Sequence, residues 1–157
     1  MSYDLVLFRP RPGETVEQAR SRALAPPDID PADPDALPFG PLDADVDSLV
    51  TGLVGAVSNL ERFDAPGLVE LTEPSLGFQI TFMGSVIHVS IPFWYDGAEA
   101  VEVLATVGRA LDTLHRTGGY AVHDSQSEKL LDGSDGYRID AASYEVGRAV
   151  VRDLEAR

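Results

Sequence analysis

Apolar and polar positions change period several times along the chain, and each change marks a new element. Tyr3 to Phe8 is a short apolar run ended by Arg9-Pro10-Arg11-Pro12-Gly13, the pattern of a buried strand stopped by prolines. Glu14 to Leu24 combines good helix formers with acids in the first turn, and Pro26 and Pro27 stop it. From Val46, the residues Leu49, Val50, Leu53, Val54, Val57 and Leu60 recur at steps of three and four, which predicts an amphipathic helix with this stripe buried. Asp47 looks like its N-cap, with Asp43 and Asp45 near the positive end of the helix dipole. Gly52 and Gly55 lower helix propensity but allow close packing, most simply on a sheet.

Further along, the period drops to two. Leu68 to Leu71, between Pro66-Gly67 and Pro74, fits a short strand. Phe78-Gln79-Ile80-Thr81-Phe82 alternates, Gly84-Ser85 suits a two-residue turn, and Ile87-His88-Val89-Ser90-Ile91 alternates back. Such a turn sets Met83 opposite Val86. Phe82, Ile80 and Phe78 then face Ile87, Val89 and Ile91 on an apolar side, while Thr81 and Gln79 face His88 and Ser90 on a polar one. Asp96 is placed to cap a helix whose apolar stripe is Val101, Leu104, Ala105, Leu111 and Leu114, and Gly118-Gly119 ends it. Tyr120 to His123 reads as a last strand. Beyond a polar turn, Ala142, Val146, Ala149, Val150 and Leu154 mark a C-terminal helix within 138–157. The order predicts one α+β domain over 1–157: a ferredoxin-like βαββαβ core with an antiparallel sheet, helices on one face, and an extra C-terminal helix.

Charge changes this picture at one place. The 157 residues include 12 Lys or Arg and 26 Asp or Glu, a net charge of -14. Half of that excess falls in residues 26–47, which hold seven aspartates, six prolines and no base. Prolines remove backbone donors and keep their neighbours extended, so an acidic surface loop is expected there. It is either a solvated linker or an arm for a basic partner, with Asp28, Asp30, Asp33 and Asp35 as contacts and Phe39 as the anchor. A net negative chain without a basic patch does not suit nucleic acid. No apolar run approaches the roughly 20 residues of a membrane span, and Met1 to Gly13 is too polar for a signal peptide. The chain has no cysteine, which removes disulfides, thiolate catalysis and Cys-ligated metals and fits a cytoplasmic location.

Candidate chemistry is sparse. Asp43, Asp45 and Asp47 alternate as an EF-hand begins, but the sixth position is Ser48 and the twelfth Val54, so a calcium loop is rejected. His115 near a helix C-terminus complements the dipole. His88 and His123 lie on strands, but His123 and Asp124 point to opposite faces, which disfavours a metal site. Ser90 lies two residues from His88, about 7 Å along a strand, and no Gly-x-Ser-x-Gly elbow or phosphate loop supports catalysis. No metal and no cofactor is expected. Trp94, the only tryptophan, falls on the opposite side from Phe93 and reads either as a rim residue under a loop or, with Tyr95 and His88, as an aromatic contact surface.

Met1-Ser2-Tyr3-Asp4-Leu5, Ile91-Pro92-Phe93-Trp94-Tyr95-Asp96-Gly97 and Gly119-Tyr120-Ala121-Val122-His123-Asp124-Ser125-Gln126 carry a resemblance to a group of small, uncharacterised bacterial proteins, over residues 1–131. Proteins of that kind are loosely similar to immunity-type proteins, which bind and block a toxin. The resemblance implies no set of functional residues. Two functions are therefore carried forward: a non-enzymatic acidic protein that occludes a basic partner, and a small enzyme or ligand-binding domain using the polar sheet face near His88, Ser90 and His123. An uncovered sheet face or edge strand also leaves a homo-oligomer open.

Overall fold

The computed structural model describes residues 2–26, 37, 39–131, 133–134 and 136–155. Its elements are β1 (Ser2–Phe8), α1 (Val16–Ala23), α2 (Val46–Ala56), β2 (Glu61–Ala65), β3 (Leu68–Thr72), β4 (Gln79–Met83), β5 (Val86–Pro92), α3 (Gly97–Gly118), β6 (Ala121–Asp124), β7 (Lys129–Leu130) and α4 (Ala141–Glu155). The seven strands form one antiparallel sheet in the order β2-β3-β4-β5-β1-β6-β7. The sheet is thus larger than a four-stranded core. The hairpin register is as predicted, with Met83 opposite Val86, Phe82 opposite Ile87 and Thr81 opposite His88.

Tyr3, Leu5 and Leu7 of β1, Val69 and Leu71 of β3, Ile80 and Phe82 of β4, and Ile87, Val89 and Ile91 of β5 form one buried face. On it lie α2, through Val46, Leu49, Val50 and Leu53, and α3, through Val103, Val107, Leu111 and Leu114. Val54, Val101 and Ala105, assigned to those stripes by spacing, are instead exposed. The two helices also pack on each other. Gly52 faces Thr113 of α3, so its missing side chain serves a helix contact rather than a sheet contact, while nothing lies within 4 Å of a Cβ at Gly55.

The expectation of helices on one face needs correcting for α1. Val6 and Phe8 of β1 point to the reverse face and are buried outside the main core, as is Ala19 of α1, which packs on β1. Thr15 starts α1 with a capping box: its hydroxyl accepts the Gln18 N–H, and the Gln18 side chain accepts the Thr15 N–H. At α2, the N-cap position belongs to Asp45 rather than Asp47, and its carboxylate makes no capping bond. It is drawn instead to Arg9, at 2.6 Å.

α4 corrects a second expectation. Val146, Val150 and Leu154, the stripe that spacing marks as buried, are 66%, 53% and 50% exposed. The helix docks through Tyr144, Gly147 and Val151 on the neighbouring face. The Tyr144 ring is fully buried against Tyr3 and Phe93, and its hydroxyl donates to the Pro92 carbonyl. Among the described residues no helix is long and apolar enough to cross a membrane.

Candidate functional site

The predicted contact residues fall at two ends of the reverse sheet face. β5 begins beside the turn at Gly84 and ends at Pro92, a run of about 20 Å at 3.3 Å per residue. Phe39 and His88 belong to the turn end. Trp94 and Tyr95 belong to the other. Asp28, Asp30, Asp33 and Asp35 lie outside the described residues.

At the turn end, the chain returning from the acidic segment crosses the β4–β5 turn. Gly84 has φ of +57°, and a side chain there would overlap the Phe39 carbonyl, so glycine is required both for the turn and for the crossing. The Asp43 N–H donates to the Gly84 carbonyl at 3.2 Å. Asp43 and Asp45 then hold Arg9 from two sides, at 2.5 and 2.6 Å, while its guanidinium lies 4.7 Å from the centre of the Tyr120 ring. Both carboxylates favour the charged guanidinium and push Arg9 above its ordinary range. Burial pushes the Tyr120 phenol up to about 12, against the pull of Arg9. Next to it, Glu14 accepts two bonds from Arg22 and one from the Arg11 N–H, which holds its carboxyl down at about 2. This cluster ties β1, α1 and the start of α2 together.

Phe39, Leu37, Met83, Val86, Ala23 and His88 share a depression of about 360 Å³. Burial holds the half-buried His88 imidazole below its ordinary pKa, partly offset by the charge of Asp4. His88 makes no side-chain hydrogen bond among the described residues. Ser90, its hypothetical nucleophile, donates instead to Asp4 Oδ1 at 2.6 Å, and Ser2 donates to the same oxygen at 2.8 Å. Asp4 lies opposite Ser90 and Val6 lies opposite His88, so β1 separates His88 from His123, which pairs with Val6 from the far side. Two strand spacings leave the histidines about 10 Å apart, too far for a shared proton or metal.

His123 is buried, with Nδ1 unpartnered and Nε2 at 3.6 Å from Glu128. Asp124 points to the opposite face, where its carboxylate accepts bonds from Tyr3, the Ser127 hydroxyl and the Gln126 and Ser127 N–H groups. No group of three metal-binding side chains occurs among the described residues. His115, at the end of α3, bonds the Tyr120 carbonyl through Nδ1 at 2.9 Å, which fits a structural role.

At the far end of β5, Phe93 turns inward and Trp94 outward, with Trp94 70% exposed. The indole lies against Gly77, where a Cβ would meet it at 2.7 Å, and Tyr95 meets it edge-on at 6.1 Å. Tyr95 is fixed by its hydroxyl on the Ser75 carbonyl. Beside the indole, Ser2, Gln79, Ser90 and Pro92 line a shallow polar depression. Asp4 and Glu70 supply charge on this face, and Phe63 of the edge strand β2 is 62% exposed beyond Glu70. Spacing missed both Asp4 and Phe63. The signal for Asp4 was present, since an aspartate inside an apolar strand run must face the side its alternation leaves polar.

No family model matches the chain, no curated protein matches it, and no solved structure matches it. Its function is therefore read from this geometry.

Proposed function

We propose that the chain is a non-enzymatic acidic binding protein that occludes a basic protein partner, as an immunity-type protein would block a toxin. The observation that carries this reading is Trp94, 70% exposed in the turn that follows β5, beside a polar sheet face. An indole left open to water is a large, low-entropy anchor for a partner. On this face the strands carry Asp4 and Glu70 toward the Trp94 end, while Arg11 and Arg22 stand at the other end beside His88. Carboxylates of this kind speed capture of a basic partner and select against acidic ones. The acidic segment with Asp28, Asp30, Asp33 and Asp35 is a second contact in this reading, with Phe39 as its anchor.

Strand order supports a ferredoxin-like centre. Within the sheet, β4-β5-β1-β6 alternate as in a βαββαβ unit, with α2 and α3 as its crossovers and β2-β3 extending one edge. The enzymatic alternative rests on His88, held below its ordinary pKa by burial beside a depression; it loses its nucleophile because the Ser90 hydroxyl is engaged by Asp4.

Affinity capture from the source cell with the immobilised chain tests the proposal. Wild type should retain a basic protein in a salt-sensitive manner, Trp94→Ala should lose it, and reversing Asp28, Asp30, Asp33 and Asp35 should slow its capture. Retention unchanged by Trp94→Ala, or no basic protein retained, would count against it.

A further inference from the structure

The exposed stripe of α4 borders a groove that meets the sheet face at Asp4 and runs beyond it. The groove has a volume of about 650 Å³, within the size range of ligand-binding clefts. Phe93, Val146, Val150 and Val151 make its apolar wall, while Asp4 and Asp140 stand at its polar rim. Past the groove the apolar row runs on from Ala142 through Val146 and Val150 to Leu154, about 18 Å at 1.5 Å per helical residue. That length exceeds what a small molecule would cover and matches roughly three turns of a docked helix.

Charge decides which occupant fits. Neither Asp4 nor Asp140 has a Lys or Arg within ion-pair distance among the described residues, and none lines the groove. The rim thus carries two carboxylates without an ion pair above an apolar floor, Asp4 bonded to the Ser2 and Ser90 hydroxyls and Asp140 to the Ala142 N–H and the Ser143 hydroxyl. A second copy of this chain would bring another net charge of -14 and the same acidic rim, so self-docking works against electrostatic repulsion. A segment carrying both apolar and basic side chains satisfies both halves of the groove.

We infer that the α4 groove docks an amphipathic basic segment of a protein partner, with apolar side chains against Val146 and Val150 and Lys or Arg toward Asp4 and Asp140. The inference rests on the binding-protein reading and extends it. Ser2 lines both this groove and the depression beside Trp94, so the two form one continuous surface at the start of β1.

Fluorescence anisotropy with a labelled Leu/Lys amphipathic helical peptide tests it, with a Leu/Glu peptide of the same pattern as control. The Leu/Lys peptide should bind and the Leu/Glu peptide should not. Val146→Asp and Val150→Asp, both at exposed positions that leave the fold intact by circular dichroism, should each weaken binding roughly tenfold or more. Asp4→Asn should weaken it less and flatten its salt dependence. Val54→Asp, on the exposed side of α2, should leave it unchanged. Failure of the Leu/Lys peptide to bind, or equal binding to wild type and Val146→Asp, would overturn the inference. So would a dimer in sedimentation that Val146→Asp dissolves, since the occupant would then be a second copy. Partner capture that survives Val146→Asp and Val150→Asp but not Trp94→Ala would overturn the groove and leave the binding-protein reading standing.

Discussion

Replacing Gly147 by alanine sets two opposing effects against each other, and their sum depends on how α4 is held. A Cβ at Gly147 would lie 2.5 Å from Phe93 Cζ and 2.6 Å from Cε1. The ring cannot readily retreat, because it is buried between Tyr3, at 6.2 Å, and Tyr144, at 5.3 Å. Overpacking of this kind costs about 1–3 kcal/mol. Alanine in a helix interior returns up to about 1 kcal/mol of propensity. The net expectation is a loss of roughly 1 kcal/mol, or a fall in Tm of about 2–4 °C for a chain of this size. Gly55→Ala supplies the reference. That glycine lies in α2 with nothing within 4 Å of an added Cβ, so only propensity acts and a gain of about 0.5–1 kcal/mol is expected. Urea denaturation of the three proteins, compared at equal m-values, reads both signs. If Gly147→Ala stabilises as much as Gly55→Ala, α4 is not seated on Phe93, and the groove beside it has no fixed wall.

Arg9→Met removes both ion pairs to Asp43 and Asp45 and the contact with Tyr120, and should cost about 1 kcal/mol at low salt, since these groups are partly exposed. Urea titrations near 1 M salt should show a smaller difference from wild type. His88 is held below its ordinary pKa, so the unfolded chain binds the proton more readily. Its contribution to stability is complete above about pH 6.5 and declines as the pH falls from there toward the depressed native value. His88→Gln should remove that slope from a stability profile measured between about pH 5 and 8, and an unchanged slope would assign it to another group. Asp4→Asn with Glu70→Gln should slow association with the basic partner in stopped flow while leaving the dissociation rate nearly unchanged; an unaltered association rate would remove the sheet face from the encounter.

Where local rules decide the structure, the sequence was readable. The β4–β5 register follows from alternation on both arms and a two-residue turn, because one slipped residue would turn every apolar side chain to water. Edge strand β2 was invisible for the opposite reason. Glu61, Arg62, Phe63 and Asp64 are all exposed, so burial imposes no alternation. The orientation of α4 was misread because its most apolar stripe is not the one that docks. Gly147 admits the Phe93 ring, and Tyr144 brings a hydroxyl to the Pro92 carbonyl; shape and one buried hydrogen bond outweigh the hydropathy of Val146, Val150 and Leu154. The candidate site divided along the same line. The outward turn of Trp94 follows from its alternation with Phe93. The meeting of Phe39 with His88 depends on a crossing over Gly84 that no local pattern encodes.

The distribution of arginines redirects attention within the acidic surface. Of the seven aspartates in 26–47, Asp43 and Asp45 share Arg9, and Asp47 shares Arg62 with Asp64. These three work inside the fold, anchoring α2 to β1 and to β2, and each arginine offsets one of the two carboxylates it holds. Asp4, Glu70 and Asp140 have no arginine at ion-pair distance among the described residues, although none belongs to an acidic run and none draws notice in a charge count. A carboxylate without a counter-ion keeps its long-range field, and that field steers a cationic partner during encounter. All three belong to the sheet face and the α4 groove, beside Trp94 and Val146. Density of charge along the chain therefore points to the proline-rich segment, whereas these three carboxylates place charge on the surface where the exposed apolar groups already are.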